Sequence, residues 1–115
     1  MNKVIIDASG KRLGHVAGEA ASLLMGKKSP AYKPNVLPAV FVEITHASQL
    51  DISVEKMEHE ALEHYSGFHG GLRRRTWGKV AKEKGYREIV HHAISGMIRK
   101  NKLHKQIMKH LTISE

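Results

Sequence analysis

Lys3-Val4-Ile5-Ile6-Asp7-Ala8-Ser9-Gly10-Lys11-Arg12-Leu13-Gly14-His15-Val16-Ala17-Gly18-Glu19-Ala20-Ala21-Ser22-Leu23-Leu24 changes its hydrophobic period halfway along, and that change decides the fold. Residues 3–8 are a short apolar run, which reads as a buried strand. From Leu13 the apolar residues recur at Val16, Ala17, Ala20, Ala21 and Leu24, the spacing of a helix with one buried face. Asp7 and Ser9 offer capping oxygens ahead of it. Gly26 stands where a helix-ending residue belongs, and Lys27 and Lys28 sit favourably beside the helix C-terminus. Pro30 and Pro34 prevent the helix from resuming. Ala39–Thr45 is rich in β-branched and aromatic residues and reads as a second strand. Strand, helix and strand predict a βαβ unit with parallel pairing and a right-handed crossover.

Further along, residues 51–63 are acidic, with Asp51, Glu55, Glu58, Glu60 and Glu63 against Lys56 alone. They read as a short helix and a strand entering Tyr65. Thr76–Lys84 reads as a helix ending at Gly85, and Ile89, Val90, Ala93, Ile94, Met97 and Ile98 mark another. Asn101 offers a cap for a last helix with Leu103, Ile107 and Met108 inward. Lys102, Lys105 and Lys109 would then form a basic stripe on its outer face. Leu111–Ser114 suits a final strand. The length of 115 residues suits one domain spanning residues 1–115.

Charge is distributed unevenly. Residues 1–65 hold seven Lys+Arg against eight Asp+Glu, whereas residues 66–115 hold twelve against three. Self-repulsion confined to one half points to a polyanion partner. The boundary is Tyr65-Ser66-Gly67-Phe68-His69-Gly70-Gly71-Leu72-Arg73-Arg74-Arg75, a glycine-rich turn running into three arginines. Glycines let backbone amides approach another surface, and guanidinium forks fit phosphate. Cations also cluster at Lys27/Lys28, Arg99/Lys100 and Lys102/Lys105/Lys109. This pattern favours a nucleic acid held by its phosphates over a solvated basic surface. The six Phe, Tyr and Trp residues are scattered along the sequence, which disfavours a base-stacking platform.

Other chemistries find little support. With no cysteine, a disulfide framework and a thiolate metal site are excluded. Nine histidines fall at spacings that give no i, i+4 pair on one helix face, so no metal site is expected. Solvated or RNA-facing histidines fit better. The first strand-to-helix turn has neither G-x-G-x-x-G nor G-x-x-x-x-G-K-[ST], and no nucleophile motif occurs. No enzyme activity, cofactor or small-molecule substrate is expected. No apolar run approaches a membrane span, and the N-terminus resembles neither a signal nor a transit peptide.

Four segments, in register over about residues 4–113, resemble the universal ribosomal protein L-thirteen family of the large subunit. Ile6–Gly14 resembles its opening strand and turn, and Leu24–Pro34 its L-x-G-K-x-x-x-x-Y-x-P segment. Tyr65–Leu72 resembles its H-S-G-Y-P-G-G-L turn, and Gly96–Leu103 its G-M-L-P-K-N-x-L signature. The chain departs from the family pattern at His15, His69, Arg99 and His104, and lacks the N-terminal extension common in bacterial members.

The resemblance implies a three-layer α/β/α fold with a small, mostly parallel four-stranded sheet. It implies a structural, non-enzymatic constituent of the large ribosomal subunit in the cytoplasm that supports early subunit assembly. Its partners would be large-subunit ribosomal RNA and neighbouring large-subunit proteins. On this reading the backbone at Ser66, Gly67, Gly70 and Gly71 approaches phosphates. Lys11, Arg12, Lys27, Lys28, Lys33, Arg73, Arg74, Arg75, Arg99, Lys100, Asn101, Lys102, Lys105 and Lys109 contact the RNA. The acidic 51–63 segment faces away from it. Two alternatives stand beside this one: a free RNA-binding translational regulator, and a small nucleotide-using α/β enzyme.

Overall fold

The computed structural model describes residues 2–30 and 32–115, so Met1, and Ala31 within the Leu24–Pro34 segment, lie outside it. The chain runs β1 (Asn2–Asp7), α1 (Leu13–Leu24), β2 (Val40–Thr45) and a 3-10 turn (Ala47–Gln49). It continues through α2 (Val54–His59), β3 (Ala61–Tyr65), β4 (Leu72–Thr76) and α3 (Trp77–Lys84). It ends with α4 (Tyr86–Met97), α5 (His104–Met108) and β5 (Leu111–Ile113).

The predicted βαβ unit is present. β1 pairs in parallel with β2, with Val4 opposite Val42 and Ile6 opposite Ile44. β5 pairs in parallel on the other side of β2, which makes a sheet of order β1-β2-β5. The fold is α/β as expected, but the parallel sheet has three strands where the resemblance implied four. β3 and β4 instead form a separate antiparallel ribbon. The strand order steps twice in the same direction, and α1 and α4 pack together on one face of the sheet. The strand pleat sends Ile6, Val42, Ile44 and Ile113 to that face, where all are buried. They meet Val16, Ala17, Ala20 and Leu24 of α1 and Ile89, Val90 and Ile94 of α4. Small alanines on α1 let the α4 backbone come close. The opposite face of the sheet carries Lys3, Ile5, Phe41 and Glu43. There Ile5 stays 64% exposed and Lys3 pairs with Glu43 at 2.6 Å.

Local signals account for most boundaries. α1 closes in a Schellman turn, with Gly26 N–H donating to Leu23 O at 3.1 Å and Lys27 N–H to Ser22 O at 3.2 Å. Gly26 has φ +76°, and a Cβ there would lie 3.1 Å from Pro38 Cβ, so the site requires glycine on two counts. Ser53 and Thr76 cap α2 and α3 by accepting from Lys56 N–H and Lys79 N–H, each at 3.3 Å. Asp7 and Ser9 do not cap α1, whose N-cap is Arg12 with no side-chain bond. Asp7 Oδ1 instead accepts from Ser9 N–H at 3.0 Å, and the Ser9 hydroxyl donates to Gln49 Oε1 at 2.7 Å. Both residues tie β1 to the turn after β2.

Candidate nucleic-acid interface

The glycine-arginine segment forms the ribbon. Tyr65 faces Leu72 across the ladder, followed by His64–Arg73, Glu63–Arg74 and Leu62–Arg75. Ser66–Gly71 closes it, with Ser66 N–H donating to Gly71 O at 3.3 Å and Gly71 N–H to Phe68 O at 2.9 Å. Gly67 and Gly70 hold φ of +90° and +70°, and a Cβ on either would meet only open space. Gly71 differs. Its amide is used inside the turn, and a Cβ would strike the Ser66 hydroxyl and come 2.9 Å from Phe68 O. Gly71 is therefore required by the turn's own closure.

The three arginines do not form one fork. Side chains alternate along a strand, so Arg73 and Arg75 lie on one face of the ribbon and Arg74 on the other. Arg74 Nε pairs with Glu63 Oε1 at 2.9 Å, and Arg75 Nη1 with Glu83 Oε2 at 3.5 Å. Arg73 has no ion pair among the described residues. Exposed pairs of this kind contribute little and exchange readily for a stronger anion. The acidic segment also reaches the arginines, because β3 places Glu63 directly across from Arg74.

Arg99 departs further from expectation. Its Nη1 donates to the Tyr32 hydroxyl and its Nη2 to Pro34 O, both at 2.8 Å, while its Nε is buried without a partner. The guanidinium clamps the 32–34 loop to the turn after α4. Tyr32 and Arg99 form the floor of a shallow recess with Lys27 and Lys100 on its rim. Both lysines are exposed, as are Lys11, Arg12, Lys28 and Lys33. The basic stripe is shorter than expected. Only Lys105 lies within α5, with Lys102 before it and Lys109 at its end, although all three are exposed. Asn101 Oδ1 accepts from Leu103 N–H at 3.0 Å and organises the turn into α5.

Three histidines also serve the fold. His104 bonds Ser95 Oγ at 3.1 Å and Arg99 O at 3.2 Å, which makes Nδ1 the donor to the carbonyl and Nε2 the acceptor from the hydroxyl. His110 stacks on Phe41 with ring centroids 4.4 Å apart. His46 contacts Asp7 at 3.1 Å. The Ser9 N–H and the neighbouring His46 hold the Asp7 carboxyl below its ordinary range.

Sequence reasoning missed two features. Phe68, 77% exposed, lies in the ribbon turn that joins Tyr65 and Leu72, which are also exposed. The three fall within one eight-residue stretch, and the Tyr65–Leu72 pairing puts them at the same end of the ribbon. The second feature is a cleft of about 430 Å³ between the start of α1, the 51–56 segment, the start of α3 and the end of α4. Arg12, Asp51, Lys56 and Trp77 line it. Met97 lines both this cleft and the Tyr32–Arg99 recess, so the two adjoin. Among the described residues, no cluster of His, Asp or Glu is arranged to hold a metal ion, and no helix is long and apolar enough to cross a membrane.

The family model described as Ribosomal protein L13 matches residues 1–115. The large ribosomal subunit protein uL13 of Mycobacterium leprae (strain Br4923) is 41% identical over 109 residues, covering 95% of this chain and 74% of that protein. Its counterpart in Geobacter sulfurreducens is 36% identical over 109 residues, covering 95% and 76%. That of Caldanaerobacter subterraneus is 35% identical with the same coverage, 95% and 76%. A match along the whole sequence, with the glycine-arginine ribbon and the Gly96–Leu103 turn both formed, means that the chain belongs to the ribosomal protein L13 family.

Proposed function

We propose that the chain, as one domain, binds large-subunit ribosomal RNA through three adjoining elements. These are the β3–β4 ribbon, the Lys27–Lys33 loop with Lys100, and the Lys11–Arg12 start of α1. Family membership makes it a structural component of the large ribosomal subunit and not an enzyme. The observation that carries the RNA-binding reading is Arg73. It is an exposed guanidinium without an ion pair among the described residues, next to a turn whose Gly67 and Gly70 present bare backbone. Phosphate supplies the anion that this arrangement lacks. Lys28, Lys33, Lys102, Lys105 and Lys109 add sequence-independent attraction. The protein would act in the cytoplasm within the assembling subunit, beside other large-subunit proteins.

Sedimentation of a tagged copy from cell lysate tests this reading. Co-migration with the large subunit that persists through a moderate salt wash is the expected result. Recovery at the top of the gradient would favour the free regulator. For the isolated RNA complex, neutralising about 6–10 phosphates should weaken affinity by roughly 10³–10⁵-fold between about 50 and 200 mM salt. A flat salt dependence would overturn the electrostatic account.

A further inference from the structure

The cleft between α1, α3 and α4 shares only Arg12 with the phosphate contacts above, and its walls are otherwise unlike the basic surface around it. Its volume of about 430 Å³ lies in the range of small-ligand sites. Leu13, Ile52, Ala93 and Met97 supply apolar wall, and Trp77 is the chain's only tryptophan. The charged groups are Arg12, Lys56 and the Asp51 carboxylate, none of which has an ion pair among the described residues. The backbone fixes two of them side by side. Arg12 and Asp51 are bridged in parallel, and Asp51 N–H donates to Lys11 O at 2.9 Å.

A cleft meant only for phosphate would not place a carboxylate among its cations, because that charge repels the ligand. A carboxylate instead accepts from N–H donors, and a flat indole beside it offers a stacking surface. Both features fit the edge and the face of a nucleobase. We propose that this cleft takes one unpaired base of the bound RNA, stacked on Trp77. The base's amino-bearing edge donates to Asp51, and its flanking phosphates lie against Arg12 and Lys56. Guanine suits best, since its ring N–H and amino group lie side by side and match the two carboxylate oxygens. The volume is ample for one base. This inference rests on the RNA-binding reading. It adds a base-reading contact to a surface that otherwise reads only phosphates.

Trp77 is its own reporter. In the complex of the full chain with large-subunit ribosomal RNA, Trp77 emission should fall and its quenching by acrylamide should drop severalfold. Gly14 lines the cleft, lies on α1, and a Cβ there meets no atom within 4 Å. Gly14→Leu should therefore fold, fill the cleft and abolish the emission change. It should also weaken RNA binding by roughly 5- to 150-fold, the worth of one base–aromatic stack. Asp51→Asn should leave the thermal melt unchanged. It should also erase any preference between short oligoribonucleotides that differ only in a central guanine or uracil. A complex that forms with Trp77 still fully open to acrylamide would overturn the base-pocket inference and leave the RNA-binding reading standing. No complex at low salt would overturn that reading itself. An equal emission change with free guanosine monophosphate would show a mononucleotide site, which also overturns the inference.

Discussion

Arg99 donates to the Tyr32 hydroxyl at 2.8 Å across 67 positions of sequence, and in doing so ties the loop after α1 to the turn after α4. The same guanidinium also holds Pro34 O. Arg99→Ala should lower stability in urea unfolding by roughly 1–3 kcal/mol, because the partner groups lose their donor. Arg99→Lys should restore little of it, since an ammonium cannot span two acceptors as a planar fork does. RNA affinity measured where both variants are folded should fall less than for Arg73→Ala.

The ribbon permits a test with opposite signs. Arg73→Ala removes an unpaired cation, so RNA binding should weaken and the log–log salt slope should drop by about 1. Glu63→Gln removes a carboxylate and releases Arg74, so binding should tighten at low salt and the slope should steepen. Filter binding across a salt series separates the two. Equal effects of both substitutions would mean that the ribbon does not touch phosphate.

Gly71→Ala should open the ribbon turn, because the new methyl group meets Ser66 and lies 2.9 Å from Phe68 O. Gly70→Ala should cost about 1–2 kcal/mol through its left-handed backbone alone. In hydrogen exchange, amides of β3 and β4 should lose protection in the Gly71 variant while those of β1 and β2 keep theirs.

Asp7 sets an acid-side limit. The Ser9 N–H bond and the nearby His46 lower its pKa from 3.8 in the folded chain. A group depressed on folding stabilises above its unfolded pKa and loses that contribution as pH falls through the folded one. Melting temperature should therefore fall more steeply below pH 3.8 in the wild type than in Asp7→Asn.

Much of the architecture was legible because it rests on local rules. The period change near Leu13, the glycine at position 26 and the helix read over Thr76–Lys84 each rest on signals within a few turns of their own position. What was not legible depends on register and distance. Nothing near Arg99 in sequence announces Tyr32, so a free cation was expected where the fold has a clamp. The run of three arginines looked like one site, until strand alternation split it and Glu63 met Arg74. The Trp77 cleft draws its walls from four separate segments, and no window of sequence contains them.

The ribbon shares no strand with the parallel sheet. Two-stranded ribbons are marginal in water, so this arm can open without disturbing the buried core on which it is mounted. The chain thus separates two timetables. The core opens only when the whole chain unfolds, whereas the paired arm has the means to open and re-close by itself. Whatever anion the arm holds would then favour its closed form without acting on the core.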